Sequence, residues 1–131
     1  MTMSSLSALS RAMGAARLAV GASALLAPGR AARLVGFPNA HDNPTARVMG
    51  RFSGVRDLLL GALLVDASRS DAGSRARTIS FNALVDVGDL ATLAVHLVQR
   101  QGIARAALLS TLFALPGPAV WLATRARAPI W

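Results

Sequence analysis

The sequence AALLSTLFALPGPAVWLA at residues 106–123 decides the fold class, because it carries no charged side chain along its whole length. A helix that is apolar on every side lies either in a protein core or in a membrane, and roughly 20 apolar residues cross a bilayer. Pro116 and Pro118 predict a kink within this helix, since proline lacks the N–H that a helical hydrogen bond needs. The stretch therefore predicts a membrane-spanning helix.

Three more apolar stretches precede it, separated by glycine, proline and charged residues. A polar loop over residues 66–77 is predicted between the second and third of the four stretches. The prediction is an all-α chain, an integral membrane four-helix bundle with up-down-up-down topology, formed as a single domain over residues 1–131. The four predicted spans cover about residues 9–27, 48–65, 79–98 and 103–124.

The composition agrees with a membrane location. Hydrophobic residues make up 53% of the chain and charged residues 15%, whereas soluble domains carry about 25% charged residues. The net charge of +8 comes from fourteen Arg and six Asp, and Arg-rich connections suit anionic lipid head groups. A soluble, Ala-rich helical bundle is the alternative, in which the polar face of the third helix would lie in water.

Composition also excludes several classes of site. The chain has no Cys, so thiolate metal sites, iron–sulfur clusters and disulfides are absent. His41 and His96 have no partner at the spacing of a metal motif, so we expect neither a metal nor a cofactor. Aromatic residues make up 5% of the chain and Tyr is absent, so we do not expect the basic charge to bind nucleic acid.

One face of the third predicted helix is polar. Asn82, Asp86, Asp89, His96 and Arg100 follow one another at spacings of 4, 3, 7 and 4 residues, which places them on one side of a helix. Ionisable side chains inside a membrane are candidate functional groups. Asp86 and Asp89 are one turn apart, and two carboxylates that close do not both ionise easily in a low dielectric. One of them is therefore expected to hold a proton or to draw His96 into its charged form.

Two further helix faces carry glycine at turn spacing and enclose a charged residue. The first helix has such a face around Arg17, and the second has one around Asp57. Small residues allow helix backbones to approach closely within a membrane, so we predict that these glycines are packing positions. The predicted packing positions are Gly14, Gly21, Gly50, Gly54 and Gly61.

The depths of the charges predict which helices they join. At about 1.5 Å of rise per residue, Arg17 lies about as far from the end of its helix as Asp57 lies from the start of the next. The same comparison pairs Arg56 with Asp86 or Asp89. Two Arg then face three Asp, and Arg56, Asp86 and Asp89 become the candidate catalytic residues. The predicted ligand or polar cluster consists of Arg17, Arg56, Asp57, Asp86, Asp89 and His96.

The segment GVRDLLLG at residues 54–61 resembles the central motif of the domain-of-unknown-function 4267 family, a family of small four-helix membrane proteins. GFP at residues 36–38 is similar to the family's opening pattern, and Asp86 or Asp89 fits an acidic position in its third helix. The resemblance extends over residues 16–123. It implies four membrane spans and carries no known activity. A similarity to DoxX-like four-helix membrane proteins is weaker.

The leading hypothesis is a non-enzymatic, multi-pass protein of the cell membrane that acts as an accessory or interaction subunit. Its expected partners are the lipid bilayer and either another membrane protein or a second copy of the chain. The alternative is a membrane-embedded acid/base enzyme, such as an isomerase or cyclase, with a lipophilic substrate. In that enzyme Asp86 or Asp89 would donate a proton, and Arg56 would keep the other carboxylate ionised. A small proton-coupled transporter is the third hypothesis.

Overall fold

A computed structural model describes residues 3–100 and 102–125 of the chain. Within these two ranges every regular element is helical and no strand occurs, so the all-α prediction is confirmed. One 3₁₀ turn, Asn39–His41, lies in the segment between the second and third helices. The helices are α1 (Met3–Leu26), α2 (Pro28–Leu34), α3 (Pro44–Ala67), α4 (Ala72–Val98), α5 (Ala104–Ala114) and α6 (Pro116–Arg125).

The first three predicted spans correspond to α1, α3 and α4, each of which is longer than its predicted span. The fourth span is divided at Leu115 between α5 and α6. The cause is Pro116, whose missing N–H and bulky ring interrupt the helical hydrogen bonds, so the predicted kink is confirmed. Helical bonding resumes where the Ala119 N–H donates to the Leu115 carbonyl at 3.1 Å.

The polar loop predicted over residues 66–77 is wrong for most of its length, because α3 continues to Ala67 and α4 begins at Ala72. The Asp71 carboxylate accepts a hydrogen bond from the Ser74 N–H at 2.9 Å. This bond satisfies one of the N–H groups that lack a partner within the helix at its N-terminus. A capping side chain, rather than the apolar pattern, therefore sets the start of α4.

Arg75 is buried at the junction of α3 and α4 and does not belong to an exposed basic connection. Its Nε donates to the Ala67 carbonyl at 3.2 Å, and its Nη2 donates to the Ser70 carbonyl at 2.7 Å. The Ala67 carbonyl lies at the end of α3, where it also accepts a hydrogen bond from the Ser70 N–H at 3.2 Å and where the helix dipole favours a positive charge. Arg75 therefore fixes the turn between the two helices.

The helices α1 and α3 pack antiparallel with their backbones in close contact. A Cβ atom on Gly14 would lie 2.8 Å from the Gly61 carbonyl oxygen, and one on Gly21 would lie 2.7 Å from the Gly54 carbonyl oxygen. Seven residues separate the two glycines on each helix, which is about two turns, so both pairs lie on one line of contact. Four of the five predicted packing glycines thus meet each other directly.

The segment between α1 and α3 lies over one end of the space between the helices. Gly50 packs against the first residue of α2 rather than against α1, since a Cβ atom on it would lie 3.2 Å from the Pro28 Cβ. Gly36 ends α2 with φ of 90°, a left-handed conformation that favours glycine. A Cβ atom on Gly36 would lie 3.0 Å from the side chain of Arg105 and 3.2 Å from that of Leu109. These contacts hold the segment against α5.

The helix α6 runs antiparallel along α4. The Trp121 indole N–H donates to the Ser80 hydroxyl oxygen at 2.9 Å. Gly117, earlier on α6, lies so close to Asp86, later on α4, that a Cβ atom on it would overlap the carboxylate. The helix break at Pro116 therefore places a residue without a side chain where α6 comes nearest to Asp86.

Several charged and polar side chains lie inside the molecule and many large apolar side chains lie outside, although Leu60, Leu64 and Ile79 belong to the core. Arg17, Asp57, Asn82 and Asp86 are at most 8% exposed. The burial of Asn82 and Asp86 differs from the expectation of the soluble alternative that this whole face of α4 lies in water. In the part of the chain that the structure describes, α4 and the stretch Ala104–Ala123 are long and apolar enough to cross a membrane. The exposed side chains of α3 include an apolar stripe at helical spacing, formed by Val48, Phe52, Val55, Leu59 and Leu63.

Gly54→Ala should force α1 and α3 apart, because the new Cβ would lie 2.7 Å from the Leu25 backbone nitrogen and 2.8 Å from the Gly21 carbonyl oxygen. We expect the free energy of unfolding in mild detergent to fall by about 1–3 kcal/mol. Gly88→Ala is the matched control, since a Cβ atom on Gly88 has nothing within 4 Å. The control should leave stability unchanged or slightly raised. Equal losses in the two variants would contradict the described packing.

Candidate functional site

Arg17 joins three helices from the middle of α1. Its position between Gly14 and Gly21 brings the guanidinium to the interface where the backbones of α1 and α3 are closest. Its Nη1 donates to Asp57 Oδ1 at 2.9 Å, and its Nη2 donates to Asp86 Oδ1 on α4. The three side chains are 7%, 11% and 5% exposed, in that order. The predicted pairing of Arg17 with Asp57 is confirmed, and Asp86 is a second partner.

Arg56 and Asp89 form another ion pair, which is more exposed. Nη1 and Nη2 of Arg56 donate to the two Asp89 oxygens at 2.8 and 2.9 Å, a bidentate arrangement that fixes the orientation of both groups. Arg56 Nη2 also lies 3.7 Å from Asp57 Oδ1. Of the two partners predicted for Arg56, the structure shows Asp89. Asp86 and Asp89 point about 60° apart around the helix axis, so they reach different neighbours.

Arg17, Arg56, Asp57, Asp86 and Asp89 form one Arg/Asp cluster. The Arg/Asp cluster contains two guanidiniums and three carboxylates, a formal charge of −1. An uncompensated charge is strongly destabilising where it is fully buried. Asp89 is 36% exposed, so its surroundings, a proton or a hydrogen-bond-donating group can offset the third carboxylate. Arg56 Nε is also buried without a hydrogen-bond partner among the described residues. The Arg/Asp cluster therefore has unused capacity both to accept and to donate hydrogen bonds.

His96 is not brought to the Arg/Asp cluster. It lies about two helix turns beyond Asp89, a rise of about 10 Å. Its Nδ1 is 2.8 Å from the Thr92 carbonyl oxygen on its own helix. His96 does lie on the same face of α4 as Asp86 and Asp89, as predicted. Arg17 of α1 and Arg56 of α3 reach that face at Asp86 and Asp89, but not at His96. Across the described residues, no group of three or more His and carboxylate side chains is arranged to hold a metal ion.

A cavity of about 920 Å³ extends from the Arg/Asp cluster, whose five residues all line it. Its walls come from α1, α2, α3, α4 and α5 and from the segment that joins α2 to α3. The walls are largely apolar and include Val20, Phe37, Met49, Leu93, Leu109 and Phe113. Ligand sites typically combine such an apolar wall with a few placed polar groups. The cavity thus has the volume and the lining of a small-molecule site.

A second ion-pair group lies at the exposed edge of the cavity, where the segment after α2 meets α3. Arg47 Nε donates to Asp42 Oδ1 at 2.7 Å, and Arg33 Nη1 lies 3.4 Å from Asp42 Oδ2. The hydrogen bonds from Arg47 hold the pKa of Asp42 below its ordinary value, although partial loss of water acts in the opposite direction. The cavity is therefore charged at the buried Arg/Asp cluster and again at this edge.

Several residues of the site carried no signal in the sequence. Gly117 borders Asp86, and its position between two prolines was read only as a kink. Phe37 and Leu109 line the cavity because the segment after α2 folds against α5, an arrangement that helix periodicity does not encode. The polar stripe did mark Asn82, which is 1% exposed and donates to the Thr78 carbonyl at 3.1 Å.

Comparison with known proteins identifies a family but no activity. The family model described as "Domain of unknown function (DUF4267)" matches residues 14–124. The match confirms the resemblance drawn from the motif at residues 54–61. No curated protein and no solved structure shows a significant match to the chain. The chemistry of the site therefore rests on its own geometry.

Arg17→Met should leave Asp57 and Asp86 buried without this guanidinium, and we expect the free energy of unfolding in mild detergent to fall by about 3–5 kcal/mol. Arg11→Met is the matched control on the same helix, because Arg11 is exposed; its effect should stay within about 0.5 kcal/mol. Adding Asp57→Asn and Asp86→Asn to Arg17→Met removes the unpaired charges and should restore part of the loss. A triple variant no more stable than Arg17→Met would contradict the electrostatic explanation.

Asp42 should make the stability of the chain depend on pH. Because its pKa is lowered in the folded state, its contribution is complete above the unfolded pKa of about 3.9 and is lost as pH falls through the folded pKa. Melting temperatures of the wild type and Asp42→Asn, measured from neutral pH down through the unfolded pKa and into stronger acid, check this. The difference between the two proteins should be constant near neutrality and vanish in acid. A difference that persists unchanged to the lowest pH would contradict the assignment.

Proposed function

Because the chain belongs to the family described as "Domain of unknown function (DUF4267)", to which no activity is attached, we propose its function from the site itself. It is a multi-pass protein of the cell membrane that binds a lipophilic small molecule in the cavity beside the Arg/Asp cluster. The observation that carries the proposal is the continuous lining of this cavity, largely apolar along its walls and charged where it meets Arg17, Asp57 and Asp86.

The membrane part of the proposal rests on the distribution of polar and apolar side chains. Buried ion pairs and exposed large apolar side chains are the reverse of what water stabilises. The stripe of α3 that begins at Val48 is apolar at every turn as far as Leu63, and lipid is the solvent that suits it. Helices satisfy all their interior backbone hydrogen bonds internally, which a bilayer requires.

The proposed topology has four crossings. The first two are α1 and α3, the third is α4, and the fourth is α5 continued by α6. The helix α2 and the 3₁₀ turn Asn39–His41 would then lie at one membrane surface, together with the N-terminal end of α3. The break at Pro116 falls within the fourth crossing and next to Asp86. Interrupted membrane helices are tolerated where their backbone faces protein or a cavity.

The chemistry of the cavity indicates the class of ligand. A largely apolar wall favours a hydrocarbon or ring system. The excess carboxylate of the Arg/Asp cluster favours a hydroxyl, amine or other donor group at the end that reaches Asp57 and Asp86. The unpartnered Arg56 Nε can donate to an acceptor on the same molecule. The ligand is therefore expected to be a lipophilic molecule with one polar end.

Acid/base chemistry on such a molecule is the second candidate function. It is favoured by Asp86, which lines the cavity and belongs to a group with one more carboxylate than guanidinium. A carboxylic acid held there could protonate a bound substrate, as an isomerase or cyclase requires. A proton-coupled transporter would use the same group but would need access from both membrane surfaces. In an accessory or interaction subunit the charges would instead be purely structural, which leaves the cavity without a role.

Native mass spectrometry of the chain extracted from its own membranes in mild detergent tests the binding proposal. We expect one small molecule to remain bound to the wild type. Ser53→Phe, which places a bulky side chain on the cavity lining, should reduce the bound fraction at least tenfold, equivalent to about 1.4 kcal/mol. Ala62→Phe is the control on the same helix, since Ala62 is exposed and does not line the cavity. It should retain the molecule.

Two outcomes would contradict the binding proposal. Equal retention in Ser53→Phe and Ala62→Phe would place the bound molecule outside the cavity. Release of the wild type only within a larger protein assembly, with no small molecule attached, would favour the accessory-subunit hypothesis.

Loss of turnover in Asp86→Asn, with binding and folding intact, would extend the proposal from binding to catalysis once the bound molecule has been identified by its mass.

A further inference from the structure

A second and smaller pocket, of about 240 Å³, lies where α1 ends and α3 begins. Four guanidiniums surround it with one carboxylate, so it carries a formal charge of +3. It is bordered by Arg30, Arg33, Arg47 and Arg51, with Asp42 among them. We propose that this basic pocket binds the phosphate of an anionic phospholipid head group. The proposal requires the membrane location. Arg33, Asp42 and Arg47 also line the larger cavity, whereas Arg30 and Arg51 border only the basic pocket.

The charges of the basic pocket are only partly neutralised. Asp42 accepts hydrogen bonds from Arg47 and also pairs with Arg33. Among the described residues, no carboxylate forms an ion pair with Arg30 or Arg51. Since both guanidiniums border the same pocket, an anion between them would find two unneutralised positive charges.

The position of Arg51 is fixed by the backbone. Its Nε donates to the Leu25 carbonyl oxygen at 3.3 Å, near the end of α1. That contact occupies one donor of the guanidinium and leaves its terminal nitrogens for another acceptor. The planar arrangement of these nitrogens matches phosphate oxygens, which is why arginine is preferred over lysine for bidentate phosphate binding. The chain has arginine at every basic position.

The apolar side chains beside the basic pocket favour a lipid over a free phosphate ion. Leu26 and Leu34 are each 80% exposed, and they flank the segment that forms the pocket floor at Pro28 and Gly29. Exposed leucine next to clustered arginine is suited to the boundary between acyl chains and head groups. A phospholipid would place its phosphate among the guanidiniums and its acyl chains against these leucines.

The test compares two double variants that remove the same charge at opposite ends of α3. Arg30→Gln/Arg51→Gln removes the two unneutralised charges of the basic pocket. Arg69→Gln/Arg77→Gln removes two exposed charges near the other end of α3. Each protein is placed in nanodiscs that contain phosphatidylglycerol and phosphatidylcholine in equal amounts. The phospholipids that stay bound after transfer to mild detergent are then counted by native mass spectrometry.

We expect the wild type and Arg69→Gln/Arg77→Gln to retain phosphatidylglycerol. Arg30→Gln/Arg51→Gln should lose at least tenfold in retention, since each arginine near the membrane surface contributes about fivefold, equivalent to about 1 kcal/mol. Arg30→Gln alone should lose about fivefold. This single variant guards against misfolding of the double variant. Arg30 is exposed and its replacement breaks no ion pair of the described residues, so folding should be unaffected.

Three results would overturn the proposal. Equal loss in the two double variants would mean that lipid is attracted by net charge and not by this pocket. Full retention in both would place the lipid elsewhere. Complete displacement of phosphatidylglycerol from the wild type by millimolar inorganic phosphate would show that the pocket selects the ion and not the lipid. The two proposals can fail separately, because this test measures bound phosphatidylglycerol in variants of Arg30 and Arg51, neither of which lines the larger cavity.

Discussion

The buried guanidinium of Arg17 is the interaction on which the arrangement of the helices depends. It contacts a carboxylate on α3 and another on α4, so one side chain of α1 sets the positions of both neighbours. The contact is possible because Gly14, Gly21, Gly54 and Gly61 bring the α1 and α3 backbones together on either side of it. Steric closeness and charge pairing therefore depend on each other: wider helix spacing would break the ion pairs, and loss of the ion pairs would leave buried charges that favour separation.

The two halves of the molecule are held in different ways. The helices α1 and α3 meet backbone to backbone through glycine, whereas α4 is joined to them through the ion pairs of Asp86 and Asp89. The cavity lies between these halves and is also lined by the segment that joins α2 to α3. The ion pairs of Asp86 and Asp89 link α4 to the other half beside this space. The Arg/Asp cluster is thus both a structural link and the charged part of the cavity lining.

The sequence allowed the charge pairs to be predicted, because the rise of an α-helix is fixed and residues at equal depth on antiparallel neighbours must meet. Arg17 with Asp57 follows from that rule, and so does Arg56 with Asp86 or Asp89, of which the structure shows Asp89. The contact between Arg17 and Asp86 does not, since it depends on how three helices are rotated about their axes. The polar stripe of α4 also predicted His96 as a member, but helix periodicity cannot say how far along a face its neighbours extend. The cavity was not predictable for a related reason: its walls include the segment around Phe37, whose path is set by tertiary contacts with α5.

The equal depth of Arg17 and Asp57 has a consequence for synthesis. In the proposed topology α1 and α3 are synthesised before α4. Arg17 and Asp57 each carry a charge that is unfavourable by about 2.5–3.5 kcal/mol at the centre of a lone span. Entering the bilayer together as a hairpin, the two helices would pair Arg17 with Asp57 and avoid much of the penalty for these two charges, whereas Arg56 gains its bidentate partner only with Asp89 on α4. The third crossing arrives later with Asp86, and Arg17 is by then already in place to receive it. The order of these helices in the chain would then also be the order in which they assemble, with α1 and α3 forming the site at which α4 binds.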